Sequence, residues 1–298
     1  ATYDANNAYV SWVQDPFTSV PGLTPNQVAT GAGLDGLQIL NPGDAALTYL
    51  NGQPISQLPG LYDLIAPDEL TAIFQIGFHA TEVQASTIQQ HLQQVRDGVR
   101  QDRDSLSDDT ILNPANGSAN AGTTSETVIE SYERRWNFFI EGLGGGANVS
   151  TTSNASGYDF DTAGTMMGAD YLVNDHFVFG GLVGYTRTDA SLVNGGRIEA
   201  DSVRSAIYAT YFDDGFYIEG QTGLAHNSYD TRRAALLANA TGSTDGAEFS
   251  SLINTGYDHH AGDLTMGVFS TFTYSRVNFD SFSEAGSLAP LNYPDQEQ

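Results

Sequence analysis

From Arg135 onward the chain repeats a period of two, segment after segment, and this pattern constrains its fold more than any other feature. A period of two places alternate side chains on opposite faces of an extended strand. Trp136, Phe138, Ile140 and Gly142 alternate with Asn137, Phe139 and Glu141. The same alternation puts Ala163, Thr165, Met167, Ala169 and Tyr171 on one face, and then Phe177, Phe179, Gly181, Val183 and Tyr185. It continues through Val203–Tyr211, Phe216–Leu224, Phe249–Tyr257 and Leu264–Tyr274, which makes about seven strands. One face is apolar and aromatic. The other is Gly, Thr, Ser, Asn, Asp, Glu and Gln.

A soluble β-sandwich or up-and-down barrel also alternates, but it buries large aliphatics on one face and shows Lys and Glu on the other. This chain has no Lys: all 11 basic residues are Arg. Strands that cross a bilayer alternate apolar-out and polar-in, with short turns on one side and longer loops on the other. Residues 173–176, 213–215 and 259–263 read as tight turns. Residues 149–157, 191–200 and 231–246 read as long polar loops. Aromatics gather beside the tight turns (Tyr171, Phe177, Phe179, Tyr211, Phe212, Phe216, Tyr217) and again near the loops (Tyr158, Phe160, Tyr185, Tyr229, Phe249, Tyr274). Two such belts fit two lipid–water interfaces.

Upstream the period becomes helical. Leu70, Ile73, Phe74 and Phe78, then Ile88, Leu92, Val95 and Val99, form a narrow apolar stripe on a helix over 67–100. Pro67 suits the first turn, and Asp68 and Glu69 suit the positive end of the dipole. The rest of that helix is rich in Gln, Thr and Ser. It is long enough to span a bilayer, yet too polar to face lipid. Residues 1–66 mix short pieces with Pro and Gly breaks: a β segment closed at Gln14-Asp15-Pro16, and a helix from Pro25 capped by Thr24. Residues 101–130 read as a flexible polar linker. Residues 131–298 hold the strands.

Composition removes whole classes of function. With 36 acidic residues against 11 basic ones, the net charge of −25 repels nucleic acid. No Cys means no disulfide, no thiol nucleophile and no Cys-bound zinc. No HExxH, GxSxG or P-loop appears. His259 and His260 are adjacent and point to opposite faces of a strand, His79 and His91 are twelve apart, and Asp159-Phe160-Asp161 lacks the rest of a calcium loop. We therefore expect no enzyme activity, metal or cofactor in this chain.

The segments WNFFIEGLGG, GTMMGADYLVNDHFVFGGLVGY, YATYFDDGFYIEGQTG, SYDTRRA and GYDHHAGDLTMG resemble the C-terminal β-domain of bacterial autotransporters (type V secretion). LYDLIAPDELTAIFQIGFHATEVQASTIQQHLQQVRDG resembles the segment that joins passenger to barrel there, and ATYDANNAYVSW the last rung of a β-helical passenger. The resemblance implies an antiparallel transmembrane β-barrel of twelve strands in the Gram-negative outer membrane. One helix would occupy the pore, and the passenger would be exported to the cell surface. With about seven strands present, the sequence reads as truncated before the end of the barrel and cut from something longer at its start. Implied partners are outer-membrane lipids and lipopolysaccharide, the barrel-assembly machinery and the chain's own passenger.

On this reading the lumen-facing Asn137, Glu141, Asp170, Arg204, Glu219, Gln221, Asn254 and Asp258 are candidates to touch the helix. Arg204 and Glu219, on adjacent strands, are expected to pair. Some family members cut themselves at an Asn in the pore helix, but no Asn occurs here between Asn51 and Asn113. The Arg232-Arg233 pair is a candidate for lipopolysaccharide phosphate or for stabilising its loop. Other readings are the anchor of a surface adhesin or filament, and a porin-like channel, which would need no plug.

Overall fold

A computed structural model describes residues 2–3, 8–9, 14–66, 71–107, 135–152, 157–192, 195–261 and 264–298. Leu70, Pro67, Asp68 and Glu69 lie outside the described residues, as does most of the expected linker.

The chain opens with a small hairpin, β1 (Thr2–Tyr3) and β2 (Ala8–Tyr9). Three helices follow: α1 (Pro25–Leu40), α2 (Ala45–Asn51) and α3 (Leu58–Asp63). Thr24 starts α1 as expected: the Gln27 N–H donates to its hydroxyl, and its own N–H donates to the Gln27 side chain. Asp44 caps α2 by accepting from the Ala46 N–H at 2.8 Å. Both caps satisfy amide donors that a helix start leaves bare. The three helices enclose Leu47, Leu50 and Tyr62, and the Tyr62 hydroxyl donates to the Phe17 carbonyl at 3.0 Å.

Helix α4 (Thr71–Ser107) then runs for 37 residues, about 55 Å at 1.5 Å per residue. It continues past the expected end near residue 100 into QDRDSLS, which contains no Gly or Pro to stop it. Seven long strands follow in meander order: β3 (Trp136–Val149), β4 (Tyr158–Asn174), β5 (Phe177–Leu192), β6 (Arg197–Asp213), β7 (Phe216–Ala234), β8 (Asn239–Ala261) and β9 (Leu264–Phe279). Then β10 (Phe282–Ser283) pairs with β11 (Asn292–Tyr293), and β12 (Gln296–Glu297) adds to the end of β9. The sheet curves around α4 without closing, and β3 and β12 are its outer strands.

Every pair is antiparallel and the register places the two faces as the period demands. Phe138, Ile140, Met167, Val183, Val203, Ile207, Leu224, Ile253, Val268 and Phe272 all point outward, Val268 with 75% of its surface exposed. A continuous apolar face this wide has lipid as its natural solvent. No helix among the described residues is long and apolar enough to cross a membrane by itself.

Three features differ from the sequence reading. First, residues 191–200 and 231–246 are not loops. Strands β5 and β6 continue until only 193–196 separate them, and β7 and β8 until only 235–238 do. Their polar residues pair across strands instead: Arg187 with Glu199 at 2.6 Å, Arg197 with Asp189 at 2.7 Å, Ser228 with Asp245 at 2.7 Å. A membrane strand needs only about 9–11 residues, so the 19 of β7 and 23 of β8 project well beyond it. At the opposite end the turns are minimal, with Asp214 and Gly215 alone, both at positive φ, between β6 and β7. Second, the aromatic belts are thinner than expected. Phe212, Tyr217, Tyr158, Phe160 and Tyr229 have inward parity and are buried against the two ends of α4. Third, the inner face is not wholly polar: Phe139, Leu143, Met166, Leu182 and Tyr208 pack on Ile88 and Leu92. Three inner glycines make room for these rings. Gly168, Gly180 and Gly256 lie directly opposite Phe139, Tyr208 and Tyr217, and a Cβ on each would fall 2.4 Å from the facing side chain.

Candidate functional site

The inner face meets α4 at three polar levels separated by apolar packing. At Thr81, the Arg204 guanidinium donates to the threonine hydroxyl at 3.0 Å and to Glu248 at 2.8 Å. Ten residues on, about 15 Å along the axis, His91 lies buried with Nε2 2.6 Å from Asp170 and Nδ1 3.4 Å from Glu141. Asp170 also accepts from the Tyr208 hydroxyl and from Asn137 at 3.2 Å, while the His91 ring covers Phe139 at 3.9 Å between centroids. Arg96 forms the third level. It pairs with Glu219, and its guanidinium carbon sits 4.1 Å over the Tyr217 ring. Asn254 donates to Glu219 at 2.9 Å and accepts from Thr271 at 3.0 Å.

These charges are shielded: Asp170, Glu219 and Arg204 are all buried. Buried charge is costly unless paired and hydrogen-bonded, and here each finds several partners. Between the levels the stripe does its share. Ile73 and Phe74 join Val277 and Phe279 at one end of the sheet, with the Phe74 and Phe279 rings 5.2 Å apart. Ile88 and Leu92 pack at the centre, and Val95 and Val99 meet Val178, Phe212 and Tyr217 at the turn end. Phe78 is half-buried beside the first cluster. The exposed positions of the described helix, Gln75, Glu82, Ser86, Gln90, Gln93, Gln94 and Asp97, are all polar. A helix apolar and paired on one side and polar on the other, with only Glu82 and Asp97 charged there, suits a wet lumen.

The structure thus brings Asn137, Glu141, Asp170, Arg204, Glu219 and Asn254 into two-sided contact with the helix or with groups that touch it. Gln221 lines a cavity of about 10 Å³, the size of one water, together with Thr81, Gln84 and Ser250. Asp258 sits half-buried at the turn end of β8, opposite Gly267. The expected Arg204–Glu219 pair does not form. In register Arg204 faces Ala225, six residues along β7 from Glu219, so each turns to a different partner: Arg204 to Glu248, Glu219 to Arg96. Sequence reading passed over Glu248, Tyr208 and the helix's own His91 and Arg96. The last two carried a signal, because each falls on the face defined by Ile88, Leu92, Val95 and Val99. A polar group inside an apolar stripe needs a partner on whatever the stripe covers. Arg232 and Arg233 also separate: Arg232 points outward, while Arg233 is buried on Glu284 at 2.6 Å.

Residues 138–298, just over half of the chain, match a family model described as the autotransporter beta-domain. The chain belongs to the autotransporter β-domain family. Among solved structures, the fold is similar to the translocator domain of autotransporter NalP from Neisseria meningitidis. The TM-score is 0.51 at 16% identity, covering 74% of this chain and 67% of that one. A comparison with curated proteins finds no match. This autotransporter β-domain is an outer-membrane translocator with a surface-exposed passenger. Translocator domains of the family are not enzymatic. With the membrane as solvent, the apolar outer face, the polar helix inside and the hairpins projecting at the helix's N-terminal end form one consistent arrangement.

Proposed function

We propose that the three polar levels hold the pore helix at one depth and one rotation, so that an exported passenger stays anchored on a plugged barrel. The observation that carries this is the matching of Thr81, His91 and Arg96 to complementary groups on different strands. An apolar stripe alone tolerates a slip of one turn. Buried ionic partners do not, because a slip leaves each charge facing a group that cannot answer it, and fixing register is the best-attested use of buried polar groups. In this reading Asn137, Glu141, Asp170, Arg204, Glu219, Gln221, Asn254 and Asp258 are lumen groups, and the helix stripe from Leu70 to Val99 is the part of the plug that needs no charge.

The chain itself carries out no catalysis in this reading; any activity belongs to the passenger. The projecting hairpins, with Arg187, Arg197 and Arg232 exposed among carboxylates, are where lipopolysaccharide headgroups would meet the protein. The barrel-assembly machinery would insert it. The test is topological. An epitope placed ahead of residue 1 in the cell-borne protein should be stained by antibody on intact cells, with the barrel folded. An epitope reached only after the outer membrane is opened, in cells whose barrel runs as the compact, heat-modifiable form, overturns the translocator reading.

A further inference from the structure

The helical unit α1–α3 does not close its own core. Leu236, from the turn joining β7 and β8, is buried among Phe17, Leu47, Leu50, Tyr62 and Ile65, and Leu288, Ala289 and Leu291 from the segment after β9 pack against the same cluster. Two groups on the strands' projecting ends therefore supply part of the core of a unit built from residues 17–66. The turn is shaped for this. Leu237 takes a positive φ of 64°, a conformation that costs a residue with a Cβ, and it stands 70% exposed while its neighbour Leu236 turns inward.

Arg233 lies beside that turn and joins three elements. Its guanidinium donates to Glu284 at 2.6 and 3.1 Å, to the Ala289 carbonyl at 3.1 Å, and to the carbonyl of Leu64, the residue that caps the C-terminus of α3. Helix C-terminal carbonyls are unsatisfied and negative, so a guanidinium there is both a hydrogen-bond donor and a favourable charge. Glu284 also accepts from the Leu291 N–H at 3.0 Å, which holds the post-β9 segment in place. A buried Arg with its carboxylate and two carbonyls from separate segments is a built site, and its occupant is α3.

We propose that the projecting β7–β8 hairpin and residues 284–291 form a docking seat for α1–α3, clasped by Arg233, and that the docked unit is a stop that keeps the pore helix from withdrawing inward. Helix α3 ends at Asp63 and α4 begins at Thr71, so only seven residues separate the docked α3 from α4, and a unit held on the rim fixes the outer end of the helix. The stop can form only after residues 17–64 have reached the seat's side of the membrane, which makes docking a late, direction-giving event. This rests on the translocator reading, and its test separates the two.

Residues 14–66 contain no Arg, so chymotrypsin is the probe, with Phe17, Tyr49 and Tyr62 as targets. On intact cells carrying the full protein, α1–α3 should resist cleavage. Arg233→Ala should raise the cleavage rate at least tenfold while the barrel keeps its heat-modifiable mobility, and Leu236→Asp should do the same. These 298 residues contain no Cys, so Ser86→Cys on the exposed helix face, with any Cys elsewhere in the full protein replaced by Ser, gives a single reporter. Its labelling by a membrane-impermeant maleimide should change when the Arg233→Ala substitution is added. Unchanged protease resistance in both variants overturns the clasp; faster cleavage with unchanged labelling overturns the stop. If Arg233→Ala fails to fold, Leu236→Ala and Glu284→Gln decide the same points. Cleavage that needs an opened outer membrane in every variant overturns the export reading instead.

Discussion

Arg96 and Glu219 show what one buried pair demands. Removing only the cation, as in Arg96→Leu, leaves a carboxylate stranded against the wall, at a cost of about 3–5 kcal/mol. Replacing both, as in Arg96→Leu with Glu219→Leu, removes the stranded charge and should recover most of that loss. The check is the temperature at which the purified protein loses its compact gel mobility: low for the single variant, near wild type for the double. Equal midpoints would mean that Glu219 is solvated and that the pair contributes little. At this scale the sequence was informative about faces and poor about partners. Parity alone put Glu219, Arg204 and Asp170 on the inner face. Which charge answers which depends on strand register and on the rotation of α4, neither of which is encoded within a few residues of either group. That is why Arg204 was matched to Glu219 when its partner is Glu248, two strands away.

For α4 as an element, rotation is the variable that matters. Inserting one alanine after Ala85 leaves the helix intact but turns everything beyond it by about 100° and advances it by about 1.5 Å. His91 and Arg96 would then leave Asp170 and Glu219 together, while Thr81 stays on Arg204. Arg96 is buried in the native arrangement, so trypsin should cut there far faster in the insertion variant than in wild type, and an unchanged rate would show that the levels do not set rotation. The helical unit α1–α3 has a different sensitivity. Burial, reinforced by the charge of Asp35, pushes the Tyr62 phenol from 10 up to about 12. The folded unit therefore holds that proton more tightly than the unfolded chain does. Its contribution is fully present below pH 10 and is lost as pH rises through about 12. Alkaline titration should show Tyr62 ionising late, with chymotrypsin cleavage of the unit rising over the same window. A Tyr62→Phe variant, which cannot ionise, should move that onset to higher pH. Of these elements, the start of α1 was legible because a cap and a Pro sit together, and α4 because its stripe persists for many turns. Helices α2 and α3 were not, since each is too short for a period to establish itself, and their positions come from a core completed by Leu236 more than 170 residues away.

The whole molecule is defined by which solvent each surface meets, and one substitution can interrogate it. Ile207 stands on the outer face of β6, 53% exposed, midway between Tyr211 near the tight turn and Val203 toward the projecting end. If lipid is the solvent, that position lies near the middle of the apolar band, where an arginine costs about 2–4 kcal/mol, falling to about 0–1 near either interface. In water the same change would be close to neutral, as surface substitutions are. Urea titration of the protein in lipid vesicles should therefore show Ile207→Arg destabilised by the full amount, Tyr211→Arg by much less, and Asp230→Arg, on the hairpin beyond the band, hardly at all. A loss graded with depth along two neighbouring strands, β6 and β7, is the signature of a bilayer, because only a slab of hydrocarbon makes cost depend on depth. A flat response across the three positions would mean that the outer face meets protein or water. The inward groups would then belong to a soluble sheet, where a polar helix packed against buried carboxylates has no lumen to explain it.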